Sequence, residues 1–210
     1  MLRIGLTGGM GCGKSTVGQM MAKRGAHFIE ADRVAHELMQ PGTPVYQEIV
    51  RRFGKDVLNP DGTINRSRLA EAAFGAPGGS RIAELNAIVH PGVLAQQNRW
   101  MQRLAASDPN GVAVVEAALL LEAGAAGDFD KIIAVTCNPA QKAARVAGRL
   151  GLSDAAARAE LERRTTAQWS DDKKAAAADY RIDNSGSLAD TERQVQKLWE
   201  KLRTLAESAV

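Results

Sequence analysis

The chain is short of cysteine, of aromatic residues and of long apolar runs, and each shortage closes off a class of protein. Cys12 and Cys137 are its only cysteines, too few for a disulfide framework and without the clustered spacing of a zinc site. Aromatic residues make up 4% of the sequence and long basic runs are missing, which argues against nucleic acid as a partner. No uninterrupted apolar stretch approaches the length of a membrane span, so no membrane contact is expected. The N-terminal apolar stretch runs straight into a glycine-rich motif without a cleavage region, and a cytoplasmic location is the expectation. Charge of one sign is also lacking: 27 Lys and Arg against 24 Asp and Glu leave a net +3, a balance that suits a solvated surface or a small polyanionic ligand. What is present is ample core material, and 210 residues fit one core carrying an inserted subdomain.

The most informative stretch is Gly8-Gly-Met-Gly-Cys-Gly13-Lys14-Ser15-Thr16. It matches G-x-x-x-x-G-K-[ST] and stands between a short apolar strand, Leu2 to Leu6, and a helix starting near Val17. Glycines let the backbone adopt positive φ and bring successive N–H groups close to phosphate oxygens. Lys14 supplies a point charge for β and γ phosphates, Ser15 a hydroxyl for Mg²⁺, and the following helix its positive end. Gly11, Cys12, Gly13, Lys14, Ser15 and Thr16 are therefore the expected ATP-binding residues, with Ser15 as the metal ligand. Cys12 is most simply a small residue tolerated within the loop.

Downstream, Ala26 to Glu30 reads as a second strand and leads to Asp32. In an open parallel sheet that position lies on the rim where ligands bind. Two roles fit: Asp32 accepts a proton from a phosphoryl acceptor, or it caps a helix over Arg33 to Met39. Further helices are expected over Val45 to Phe53, Arg66 to Phe74 and Arg81 to Val89, with Gly75 to Gly79 as a separator. His90-Pro91 should end the last of these, and another helix should run from Gly92 to Leu104. This helical block is an insertion in a βαβ pattern, serving either as scaffold or as substrate contact. Val112 to Val115 reads as a buried strand ending in Glu116, which either assists a magnesium shell or caps the loop. After a strand over Asp130 to Val135, Asn138-Pro139 opens a helix on which Gln141, Arg145 and Arg149 share a face. That face either meets water or awaits an anion, such as a transferring phosphoryl group. An Ala-rich helix from Ser170, a strand over Asp179 to Asp183 and a last helix with Leu188, Val195, Leu198 and Leu202 on its sheet-facing stripe complete the pattern.

The ordered motifs resemble the dephospho-CoA kinases along nearly the whole chain. The resemblance is carried by Gly5 to Thr16, Glu30-Ala-Asp32, Phe53-Gly54, Asp61-Gly62, Asn65-Arg66, Leu85-Asn86 and His90-Pro91. Leu119-Leu120 to Glu122, Gln141 with Arg145 and Arg149, Gln168, and Ala178-Asp179-Tyr180 leading to Asn184 continue it. Departures are Glu30 for a usual Asp, Ala118 for a common Pro and Cys12 for a usual Ser. The resemblance implies an α/β fold with a three-layer P-loop NTPase core, an inserted helical CoA-binding region over residues 33–104 and a helical lid over 139–168. It implies transfer of the γ-phosphoryl group of ATP, with Mg²⁺, to the ribose 3′-hydroxyl of dephospho-CoA. Asp32 then matches the general base, Lys14 and Arg145 match residues that stabilise transferred charge, and Arg149 joins the ATP site. Thr7, Arg66 and His90 fall to substrate binding, and a monomer or weak homo-oligomer is expected. Another P-loop kinase of small molecules or nucleotides would share the cradle. A GTPase-like switch is disfavoured, because no Asn-Lys-x-Asp signature is present.

Overall fold

The computed structural model describes residues 1–74, 80–165 and 168–208, so the expected separator Gly75 to Gly79 lies outside the described residues. Two compact units divide the chain, Met1–Glu30 with Met101–Val210, and Ala31–Trp100. The first unit is built on five parallel strands in the order β2-β3-β1-β4-β5. They are β1 (Leu2–Gly8), β2 (His27–Glu30), β3 (Val112–Glu116), β4 (Lys131–Thr136) and β5 (Tyr180–Asp183). Central strands of a parallel sheet are covered on both faces and read as continuous apolar runs. Val112, Val114, Ile133 and Val135 show this, each at 4% exposure or less.

On one face Leu2, Ile4 and Leu6 pack with helices α1 (Lys14–Ala22) and α9 (Leu188–Ser208), through Val17, Met20 and Met21 of the first and Val195, Leu198, Trp199 and Leu202 of the second. Removing one such side chain, as in Leu6→Ala, costs about 2–5 kcal/mol by the usual sum of transfer and cavity terms. The other face carries Ile132 with Leu120, Leu121, Phe129, Trp169 and Ala178. Leu188 departs from the expected stripe. It is 63% exposed, because it opens α9 beyond the edge of the packed region. Three more helices belong to this unit: α6 (Pro139–Leu150), α7 (Asp154–Thr165) and α8 (Asp171–Ala177).

The second unit is helical: α2 (Ala31–Leu38), α3 (Pro44–Phe53), α4 (Arg66–Phe74) and most of α5 (Ile82–Ser107). Thr43 caps α3, its Oγ1 accepting from Tyr46 N at 3.1 Å ahead of Pro44. Two expectations need correction here. Helix α2 starts at Ala31, which puts Asp32 inside its first turn and not ahead of it as a cap. Pro91 does not end a helix: α5 runs through it for 26 residues. Proline removes one i→i−4 bond locally, but Val89, Val93 and Gln97 are buried on successive turns around it, and this packing outweighs the local signal.

β1 lies between β3 and β4, so the chain leaves it towards one side of the sheet and later returns to the other. Ligand sites of open α/β sheets form beyond the carboxyl ends of strands at such a switch point. The end of β1 is where the glycine-rich loop begins.

Candidate active site

The loop from Gly8 to Gly13 is shaped by steric exclusion as much as by flexibility. Gly11 and Gly13 have φ of +78° and +87°, which side chains rarely adopt. A Cβ on Gly13 would stand 2.1 Å from Asn184 Nδ2, and one on Gly11 would stand 3.1 Å from the Lys142 carbonyl oxygen. Asn184 is itself fixed, donating from Nδ2 to Cys12 O at 2.8 Å and accepting from Thr191 Oγ1 at 2.8 Å. Gly13 occupies the N-cap of α1 and offers no side-chain cap. The first-turn N–H groups of α1 therefore point their partial positive charge at the loop's mouth, which is anion-binding geometry.

Lys14 Nζ donates to Gly9 O across the loop at 3.2 Å. Ser15 Oγ donates to Glu116 Oε1 at 3.1 Å, so of the two roles open to Glu116, metal shell or loop cap, this bond places it beside the hydroxyl expected to meet the metal. In the strand register Glu116 lies opposite both Leu6 and Glu30. Two carboxylate-bearing residues thus end neighbouring strands on the rim next to β1. Hydroxyl and carboxylate oxygens are hard donors that suit Mg²⁺. Among the described residues no group of three or more His, Cys, Asp or Glu gathers as a metal cage. A cation at Ser15 and Glu116 would take its other ligands from phosphate oxygens and water, as Mg²⁺ does at nucleotide sites. Thr16 sits exposed in the first turn of α1.

The arginine-bearing helix lies directly against this loop. Asn138 Oδ1 accepts from Ala140 N at 2.9 Å, and Pro139 follows at the first helical position, fixing the start of α6. Arg145 Nη2 donates to Asn184 O at 3.0 Å and Nη1 reaches Gly11 O at 3.5 Å. Gln141 Nε2 donates to Ser185 O at 2.8 Å. The shared face of Gln141 and Arg145 is thus turned to the loop and to the turn after β5; Arg145 stays exposed to solvent while making these bonds, and Arg149 one turn on is exposed as well. Thr7 is fully buried, with Oγ1 donating to Ala118 O at 3.4 Å.

Two charged residues at this loop and one beneath the loop after β3 carry no local sequence signal. Lys142 and Asp171 form an ion pair with side chains 17% and 18% exposed, and Cys12 Sγ donates to Asp171 Oδ2 at 3.5 Å. Burial above all, with the Asp171 carboxylate adding to it, pushes the Cys12 thiol up to about 12, so it stays a neutral donor. Burial pulls the Lys142 ammonium down, but its hydrogen bond to the Asp171 carboxylate and nearby negative charge more than offset this and leave it raised. Lys174 is fully buried and pairs with Glu122 Oε1 at 3.0 Å. A lysine in an Ala-rich helix reads as solvated. The available signal was its place between strands, which requires one face of the helix to cover the sheet.

The remaining candidates belong to the second unit. Asp32 is exposed in the first turn of α2, two residues along the chain from the end of β2. Arg66 is the exposed first residue of α4 and His90 is half-buried within α5.

Residues 2–190 match the family model described as dephospho-CoA kinase. A dephospho-CoA kinase of Leifsonia xyli is 41% identical over 203 residues, covering 97% of this chain and all of its own length. A solved structure from Thermus thermophilus is 30% identical with a TM-score of 0.78, covering 96% of this chain and 97% of its own. The dephospho-CoA kinase of Campylobacter jejuni aligns at 27% identity with a TM-score of 0.68, over 96% of this chain and 97% of its own. A phosphate-binding loop at the switch point of a parallel sheet and near-complete coverage by these relatives lead to one conclusion: the chain belongs to the dephospho-CoA kinase family, ATP-dependent phosphotransferases of coenzyme A synthesis.

Proposed function

We propose that the chain transfers the γ-phosphoryl group of ATP to the ribose 3′-hydroxyl of dephospho-CoA, with the groups around the glycine-rich loop holding the triphosphate and Asp32 as general base. The observation that carries this is the loop itself, where Gly13 leaves the N-terminus of α1 open to an anion beside the Ser15–Glu116 pair. Backbone N–H groups from Gly11 to Ser15 bind phosphate oxygens, and Lys14 moves from its own loop's carbonyl to the β and γ phosphates. Ser15, with Glu116 behind it, holds Mg²⁺, which when bound neutralises charge on the β and γ oxygens. Arg145 needs only to exchange its carbonyl partners for phosphate oxygens, which form stronger, charge-assisted bonds.

Asp32 takes the proton of the 3′-hydroxyl as that oxygen bonds to the γ-phosphorus. The bond from phosphorus to the β–γ bridging oxygen breaks, and ADP leaves. Such a loose transfer needs positioning and charge neutralisation more than covalent chemistry. In this reading residues 33–104 bind the acceptor, with Arg66 and His90 contacting it and Thr7 shaping the rim through Ala118. Residues 139–168 form the lid, on which Arg149 supplies a further cation to ATP.

An acceptor screen tests the assignment. ADP release from ATP and Mg²⁺ should depend on dephospho-CoA and stay near background with nucleosides or nucleoside monophosphates. Preference for a nucleoside or nucleotide acceptor would replace the proposal with another kinase of the same loop type.

A further inference from the structure

Helix α8 is only seven residues long, yet one of its faces reaches two different loops of the phosphate site. Ser170 caps it, accepting from Lys173 N at 3.2 Å. Asp171 and Lys174 are three residues apart and so lie on the same side of the helix. Asp171 meets Lys142 of α6 and receives the Cys12 thiol. A Cβ on Gly9 would stand 2.6 Å from Asp171 Oδ1 and 3.1 Å from Lys142 Nζ. The ion pair is therefore packed against the backbone of the phosphate loop. One turn on, Lys174 Nζ donates to Ala118 O and contacts Glu122 Oε1 at 3.0 Å. Glu122 Oε1 also accepts from Trp169 N at 2.7 Å, just ahead of α8. Ala118 O is the same oxygen that receives Thr7 Oγ1 from the end of β1.

We propose that Asp171 and Lys174 are positioning residues for phosphoryl transfer, setting the phosphate loop and the loop after β3 in register with each other through one face of α8. This rests on the kinase reading given above. Two features separate the proposal from plain structural support. Buried ion pairs are often replaceable by apolar pairs without loss of stability, so stability alone does not call for charge at two successive contacts of one short helix. Each pair is also electrically neutral, so it adds no net charge to the phosphate site. What directed bonds supply and apolar contacts do not is a fixed register of Gly9, Cys12 and Ala118 relative to α6 and α8. Misplacing a phosphate-binding backbone by a fraction of an ångström is enough to weaken catalysis.

The test compares Asp171→Asn with the paired variant Lys142→Met, Asp171→Leu, measuring melting temperature, ATP affinity by titration without acceptor, and turnover with dephospho-CoA. Asp171→Asn leaves a buried ammonium without its charge partner and should lower both stability and ATP affinity. The paired variant should recover the wild-type melting temperature while ATP affinity and kcat each stay about tenfold or more below wild type. Recovery of affinity and turnover along with stability would overturn the proposal, reducing the pair to scaffold. Should the paired variant not fold, Lys174→Met with Glu122→Leu carries the same comparison for the second contact, with the same two outcomes. ATP titration is independent of the acceptor. A wild-type protein that binds ATP but does not phosphorylate dephospho-CoA therefore refutes the kinase assignment, whereas normal ATP affinity in the paired variants refutes the positioning role.

Discussion

The unit that carries the glycine-rich loop and the helical unit between residues 31 and 100 hold their candidate residues in opposite ways. Around the loop, functional groups are locked: Ser15 on Glu116, Arg145 on Gly11 O and Asn184 O, Cys12 on Asp171. In the helical unit Asp32 and Arg66 are exposed side chains on the first turns of α2 and α4. Phosphate is the same in every nucleotide, so a rigid backbone cradle serves it well, and its rigidity is part of how it binds. An acceptor as long as dephospho-CoA is suited to mobile surface side chains. Substitutions in the first unit should therefore act on ATP affinity and turnover, and those in the second on the acceptor or the proton-transfer step.

The largest effect is expected from Gly13→Ala. It combines a φ of +87° with a Cβ placed 2.1 Å from Asn184 Nδ2, and ATP affinity should fall by at least about a hundredfold, since strain and a displaced loop act together. Affinity within a few fold of wild type would mean that the loop is far more pliable than the comparison requires. Next comes Asp32→Asn, in which ATP affinity should hold while kcat drops by about a hundredfold, the loss expected of a general base. Near-normal turnover would return Asp32 to a helix-end role and leave the second unit without a reacting group. Arg66→Ala should be milder, raising the KM for dephospho-CoA by about tenfold with ATP affinity unchanged; a shift in ATP affinity instead would blur the division between the units.

Cys12 sharpens the comparison from the rigid side with the smallest effect. Its thiol is pushed up to about 12, first by burial and then by Asp171, and the thiolate is the reactive form. Alkylation of native protein at neutral pH should leave Cys12 unmodified. The folded thiol holds its proton to higher pH than the unfolded one, whose usual value is 9.0. Its contribution to stability is thus complete below that pH and is lost as pH rises towards about 12. Rapid labelling at neutral pH would show that the loop opens readily.

The same contrast explains what was legible beforehand. The β1–loop–α1 unit follows from local rules, because glycine at positive φ, a lysine and a hydroxyl at fixed spacing mean one thing. Asn138-Pro139 gave the start of α6 for the same reason. What escaped depends on packing across the fold. Pro91 signals a break locally, but α5 is held together by Val89 and Val93. Gln141, Arg145 and Arg149 showed a shared face, yet Lys142 beside them gains meaning only once Asp171 arrives from a helix 29 residues later. Lys174 is set apart from an ordinary surface lysine only by the packing that leaves it fully buried. Glu116 could be placed at a strand end from its sequence, but its bond to Ser15 required the parallel pairing of β1 with β3. The acceptor-binding roles expected of Arg66 and His90 rest on family resemblance alone, since an exposed arginine and a half-buried histidine on helices carry no pattern that sets them apart from ordinary helix residues.

The position of the new phosphate on the product tests the account most directly. Phosphorus NMR of the product from ATP, Mg²⁺ and dephospho-CoA should show one new monoester on the ribose 3′-oxygen, formed in step with ADP and sharply reduced in the Asp32→Asn variant. A phosphate on another oxygen, or ADP released at the same rate without dephospho-CoA, would contradict it.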